Sequence, residues 1–103
     1  MKIEELFSVR GKVALITGGS RGIGEMIARA YAENGVKVYI TARKAEACDA
    51  LANELSKSGE CISIPADISR IDEIDRLGNE IERRENRLDI LVNNAGASWG
   101  ADF

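Results

Sequence analysis

Val13-Ala14-Leu15-Ile16 is a short apolar run that passes directly into Thr17-Gly18-Gly19-Ser20-Arg21-Gly22-Ile23-Gly24, and from there into a segment of helical periodicity. Glycines placed where a strand turns into a helix restrict what the chain can build. At Gly18 a glycine permits the tight turn, at Gly22 it lets the backbone come close to a pyrophosphate, and at Gly24 it lets the helix pack hard on the sheet. The start of that helix offers unpaired N–H groups and the positive end of its dipole to an anion. The spacing therefore predicts a phosphate-binding turn.

The rest of the chain repeats the same alternation. Ile23, Ile27 and Tyr31, with Met26 and Ala30 alongside, predict an amphipathic helix that Asn34-Gly35 ends. A strand follows at Val36 to Ile40. Ala45, Cys48, Leu51, Ala52 and Leu55 then share the face of a second helix, closed by Ser58-Gly59. Cys61 to Pro65 reads as a third strand, and Ile71, Ile74, Leu77 and Ile81 as the inner face of a third helix with Ser69 as its N-cap and Asp72 three residues on. Asp72 with Arg76 and Glu80 with Arg84 are expected ion pairs on its wet side. Leu88 to Val92 is the fourth strand. The order β-α-β-α-β-α-β implies right-handed crossovers and an α/β fold, a doubly wound parallel sheet of the Rossmann type limited to its first four strands and three helices. Strand order 3-2-1-4 is expected, with the first two helices on one face and the third on the other.

Bulk properties narrow the partners. With 14 basic and 17 acidic residues in 103 the net charge is −3, so no general positive field exists to draw nucleic acid or an anionic membrane. No apolar run exceeds four residues and Met1-Lys2-Ile3-Glu4-Glu5 lacks the apolar stretch of a secretory signal, which makes the cytoplasm the expected compartment. Cys48 and Cys61 have no histidine to join them as metal ligands and are expected to be reduced, buried thiols.

Several nucleotide folds use glycine turns, and the neighbouring residues separate them. A Walker-type site needs Lys after the last glycine, where this chain has Glu25. NAD-binding relatives of this architecture carry an acid at the end of the second strand for the ribose hydroxyls. Here Ala42-Arg43-Lys44 occupies that position. A carboxylate there would repel a 2′-phosphate, whereas a guanidinium matches its oxygens with charge-assisted bonds worth about 1.5 to 3 kcal/mol each. The expected cofactor is NADP(H) rather than NAD(H). Arg43, Lys44 and, from the glycine turn, Arg21 are the candidate phosphate readers; the alternative for each is an ordinary surface cation, Arg43 as one that begins a helix.

The glycine motif Thr17–Gly24, Asp67-Ile68 after the third strand and Asn93-Asn94-Ala95-Gly96 after the fourth together resemble the short-chain dehydrogenase/reductase family from about Gly11 onward. The resemblance implies that Gly18, Ser20, Arg21, Gly22, Ile23 and Gly24 line the pyrophosphate, that Asp67 accepts from the adenine amino group with the Ile68 backbone beside it, and that Asn94, Ala95 and Gly96 run along the adenosine ribose. Without it, Asp67 reads as a helix-start charge and Asn94 as a turn former. Ala45-Glu46-Ala47-Cys48 and Ser98-Trp99-Gly100 are further similar to the NADPH-dependent β-ketoacyl reductases of rhamnolipid and related lipid synthesis, although Trp99 could equally be a packing residue.

The family's catalytic tyrosine, the lysine four residues after it, and an upstream serine and asparagine would lie past position 103. Tyr31 is followed four residues on by Gly35 and Tyr39 by Arg43, so neither supplies that pattern. The chain accordingly reads as the NADP-binding portion of one domain, without catalytic residues of its own. A piece of a longer enzyme is favoured over a natural truncation, because stopping after four strands leaves Ile90-Leu91-Val92 on an open edge. The expected parent is a homo-oligomeric reductase acting on a small carbonyl, alcohol or acyl-thioester substrate. A non-catalytic NADP(H)-binding module and a purely structural half-domain are the competing readings.

Overall fold

The computed structural model describes residues 8–94. Its elements are β1 (Val13–Thr17), α1 (Gly22–Glu33), β2 (Lys37–Thr41), α2 (Ala45–Leu55), β3 (Glu60–Ser63), α3 (Ile71–Arg84) and β4 (Ile90–Asn93). Every strand pair is parallel, and the sheet runs β3-β2-β1-β4 as the alternation predicts. Among the described residues no helix is long and apolar enough to cross a membrane.

Alternating strand residues feed two cores. Ala14, Ile16, Val38, Ile40 and Cys61 face α1 and α2, meeting Ala28, Ala32, Cys48, Leu51 and Leu55. Val13, Leu15 and Tyr39 face the opposite way and pack with Ile64, Leu77 and Ile81 under α3. This is the two-faced arrangement the sequence predicts, and both cysteines are buried free thiols within the first core. Burial pushes the Cys61 thiol up to about 12, which keeps it protonated and unreactive at neutral pH.

The helices seat themselves differently from their apolar stripes. Gly24, Ala28 and Ala32 form the buried line of α1, while Ile23 is 66% and Met26 70% exposed. Small residues win that position because they let the helix axis approach the sheet, an effect that apolar periodicity does not register. Ala45 is exposed on α2. On α3, Leu77 and Ile81 are buried but Ile71 is 77% exposed: six residues are one and two-thirds turns, so Ile71 sits about 120° away from Leu77.

Local details at α3 also depart from expectation. Arg70, not Ser69, is the N-cap, and it makes no side-chain cap bond. The Ser69 hydroxyl donates instead to Asp67 Oδ1 at 2.6 Å and its amide to the same atom at 3.0 Å, because a charged carboxylate two residues back takes both Ser69 donors, whereas the helix start presents only amides for its hydroxyl to accept from. Asp72 pairs with Arg70 and Arg76 with Glu73, so the expected Asp72–Arg76 pair is not made; Glu80 and Arg84 do meet, at 2.6 Å.

The C-terminal end of α3 is tied to the sheet by a polar staple. Tyr39, only 1% exposed, donates its hydroxyl to Glu85 Oε2 at 2.5 Å, and Lys37 Nζ lies 2.6 Å from the same oxygen. Lys37 and the Tyr39 hydroxyl hold the Glu85 carboxyl below the usual carboxylate range. A depressed folded-state pKa contributes stability that is present above the unfolded value and is lost as pH falls through the folded one. Acid melting below about pH 4.5 should therefore be steeper in the native protein than in Glu85→Gln, and at neutral pH Glu85→Gln should lose about 1 to 2 kcal/mol in denaturant titrations.

On the α3 side, β4 exposes apolar surface: Leu91 is 62% and Leu88 40% exposed, with Leu91 registered against Leu15 on what is, among the described residues, an edge of the sheet. An apolar, unpaired edge strand is a template for association. In size-exclusion chromatography the 103-residue chain is expected to elute larger than a monomer, and Leu91→Lys to shift it toward the monomer; a monomeric unsubstituted chain would contradict this.

Candidate cofactor site

The carboxyl ends of β1, β2 and β4 converge on the turn between Thr17 and Gly22. Gly18 and Gly22 take φ of 68° and 62°, the left-handed region in which a side chain is strained. The Gly18 amide donates to the Thr41 carbonyl at 2.8 Å, fastening the turn to the end of β2. At Gly24 the reason for glycine is space: a Cβ there would stand 2.2 Å from the Gly18 carbonyl oxygen and 2.9 Å from Asn94 Nδ2. Gly19 is equally confined, its would-be Cβ lying 2.8 Å from Ile40 Cγ2.

This close approach brings the first turn of α1 over the end of the sheet. Arg21 is its N-cap, extended at φ −160°, and no side chain caps the helix. The orphan amides of that turn are thus left to solvent or to a bound anion. Arg21, Gly22 and Ile23 are exposed, and Ser20 is half-buried.

Asn94 closes the turn from the β4 side. Its backbone amide donates to Thr17 Oγ1 at 3.0 Å and its side-chain amide to the Gly18 carbonyl at 3.4 Å. Thr17 in turn donates its hydroxyl to Asn93 Oδ1 at 2.9 Å. Thr17 and Gly19, outside the candidate site residues, also shape the turn, and the dense spacing of small residues around them is the sequence signal that points to them. Ala95, Gly96, Ser98 and Trp99 lie outside the described residues.

The second cluster stands at the ends of β2 and β3. Ile64 N donates to the Ile40 carbonyl and Ala66 N to that of Ala42, continuing the ladder past both strands. That continuation sets Arg43 alongside Asp67. Arg43 is exposed, as is Lys44, the N-cap of α2. The hydroxyl and amide of Ser69 hold the Asp67 carboxyl below the usual carboxylate range, with Arg43 and Arg70 adding to the effect. Ile68 is half-buried against the second core. Beneath the turn, the Thr41 hydroxyl is buried without a hydrogen-bond partner, the kind of orphan that costs about 1 to 3 kcal/mol.

The two clusters differ in chemical character. The glycine turn offers backbone donors and no acid, while the β2–β3 end offers a cation beside a carboxylate. Such a crevice, at the carboxyl ends of parallel strands where the order reverses, suits a long anionic ligand with a polar base. Among the described residues no group of three or more potential ligands could hold a metal ion.

Known proteins share this fold. The family model for short chain dehydrogenases matches residues 12–103. The rhamnolipids biosynthesis 3-oxoacyl-[acyl-carrier-protein] reductase of Pseudomonas aeruginosa is 55% identical over 95 residues, which are 92% of this chain and 37% of that protein. The solved Pseudomonas aeruginosa RhlG/NADP active-site complex superposes with a TM-score of 0.82 at 47% identity, covering 92% of this chain and 40% of that one. An actinorhodin polyketide ketoreductase structure with NADPH gives a TM-score of 0.76 at 34% identity, covering 81% of this chain and 32% of that one. The chain thus spans well under half the length of the proteins it matches. With the match running from the residue before β1 through Asn94 and beyond, and with the glycine turn built as the sequence predicts, this chain belongs to the short-chain dehydrogenase family.

Proposed function

We propose that this chain binds NADP(H) and serves an NADPH-dependent carbonyl reduction in which a 3-oxoacyl thioester is the substrate class. The observation that carries the reading is the side-chain-free contact between Gly24 and the Gly18 carbonyl, which leaves the uncapped start of α1 open to a pyrophosphate. The substrate class is supported by the 3-oxoacyl-[acyl-carrier-protein] reductase at 55% identity. A soluble cytoplasmic homo-oligomer is the state we propose for the working enzyme.

Each group has a defined task in this reading. The amides of Gly22, Ile23 and Gly24 receive the diphosphate, with Gly18 and Ser20 shaping the turn around it. Arg43 takes the 2′-phosphate, helped by Arg21 and Lys44. Asp67 accepts from the adenine amino group beside the Ile68 backbone, and Asn94, Ala95 and Gly96 follow the ribose. When bound, NADPH supplies the hydride; the residues of this chain hold and orient its adenosine half. A binding module that takes up NADP(H) without chemistry is the second reading, which the glycine turn and the uncapped start of α1 would serve equally.

Titration with NADPH and NADH, followed by calorimetry or nicotinamide fluorescence, tests the cofactor assignment. Arg43→Asp replaces a charge-assisted phosphate contact with a repulsion, so NADPH should weaken about 10- to 100-fold and NADH by less than about threefold. Equal losses would remove Arg43 from the 2′-phosphate site. Gly24→Ala forces a methyl against backbone and should weaken both cofactors by about tenfold or more while lowering thermal stability; unchanged affinity would refute the proposed diphosphate seat.

A further inference from the structure

Behind the residues that would touch the nucleotide, the structure assigns a positioning role to Glu73 and Arg76: together they pin the β3–α3 loop on both sides of Ala66, and so fix the preference of the site for adenine over other purines. This rests on the reading of Asp67 as acceptor for the adenine amino group.

The geometry is a closed chain of four bonds. Glu73 Oε1 accepts from the Asp67 amide at 3.2 Å. Arg76 donates from Nε to Glu73 Oε2 at 2.9 Å and from Nη2 to Oε1 at 3.1 Å. The same Nη2 donates to the Pro65 carbonyl at 2.7 Å. Pro65 and Asp67 are thereby joined through a fork of two side chains from the first turns of α3, while Ala66 between them is buried and bonded to Ala42. A planar guanidinium facing a carboxylate with two bonds is a directional, preorganised clamp, unlike a single lysine contact.

Neither residue belongs to the nucleotide contact set, yet both act on the one loop atom group whose orientation matters. Ser69 occupies Asp67 Oδ1 with two donors, leaving the other carboxylate oxygen to meet a ligand. Where that oxygen points is decided by the two Ser69 bonds together with the Asp67 backbone, and the amide of that backbone is held by Glu73. A hypoxanthine ring carries a carbonyl where adenine carries its amino group, so a fixed carboxylate accepts from the one and repels the other. A loop free to swing would lose that discrimination.

The test compares NADPH with its hypoxanthine counterpart, reduced nicotinamide hypoxanthine dinucleotide phosphate, by nicotinamide fluorescence on the full chain. The wild type should prefer NADPH by about tenfold or more. Glu73→Ala should reduce that ratio to within about twofold while the NADPH-over-NADH ratio stands. Glu73→Gln keeps an acceptor for the Asp67 amide and should retain most of the adenine preference. Arg76→Ala, which releases Pro65 and lets Glu73 turn away, should lower the preference in the same direction; this variant also serves if Glu73→Ala fails to fold by circular dichroism. An undiminished adenine preference in both alanine variants overturns the positioning role. A wild type that binds NADPH but does not prefer adenine also overturns it and leaves the cofactor assignment intact, whereas a wild type that binds neither dinucleotide brings down both.

Discussion

The approach of α1 to the sheet governs the rest of the structure. Gly24, Ala28 and Ala32 present almost no side chain to β1 and β2, so the helix settles until Gly24 touches the Gly18 carbonyl. That contact decides where the helix start, and its row of orphan amides, will stand. It also leaves room for Asn94 to reach Gly18 and Thr17 from β4. A larger residue at position 24 would press on the Gly18 carbonyl and on the Asn94 side chain, and so disturb both the turn and its tie to the end of β4. The place of the helix start and the Asn94 tie to the turn are thus two consequences of one steric fact.

How far the sequence announced this depends on which residues are asked. The strand order and the two-faced core were legible, because β-rich runs separated by helical periods allow few right-handed arrangements. The glycine turn was legible for the same kind of reason: few backbones need glycine at 18, 22 and 24 together. Seating of the helices was not. Periodicity counts large apolar groups, and so it favoured Ile23, Met26 and Ile71, which the structure exposes, over Gly24, Ala28 and Ala32, which it buries. Close packing selects small residues where axes approach, and smallness leaves no trace in a hydropathy pattern.

The β3–α3 loop was the least legible part. Ser69 and Asp72 looked like a cap and its partner, yet Ser69 turns back to Asp67 and Arg70 takes the cap position. Arg76 looked like the natural partner of Asp72 at four residues' distance, and instead joins Glu73. Helical spacing alone could not have chosen between the acids at 72 and 73. What decides is the path of Pro65 to Asp67, which brings a carbonyl and an amide within reach of that fork, and that path is set by a ladder between β2 and β3 over twenty residues away in sequence.

Charge at this end of the sheet follows a consistent logic. Arg43 is brought beside Asp67 by the extended ladder, so a cation suited to phosphate has an acid for a neighbour. An unconstrained carboxylate would oppose the anion that Arg43 is proposed to recruit. Here, however, the carboxylate is engaged: one oxygen takes both Ser69 donors, and its backbone is held by Glu73, whose own charge faces Arg76. Each acid in the cluster is answered by a donor on its own loop or helix. The Arg43 guanidinium stays exposed, able to act on a ligand, while Asp67 keeps one oxygen to accept a hydrogen bond. On the proposed reading, two opposite charges at one crevice end meet two different parts of one nucleotide, with the Asp67 carboxylate held in place by the Ser69 donors rather than left to swing toward the phosphate.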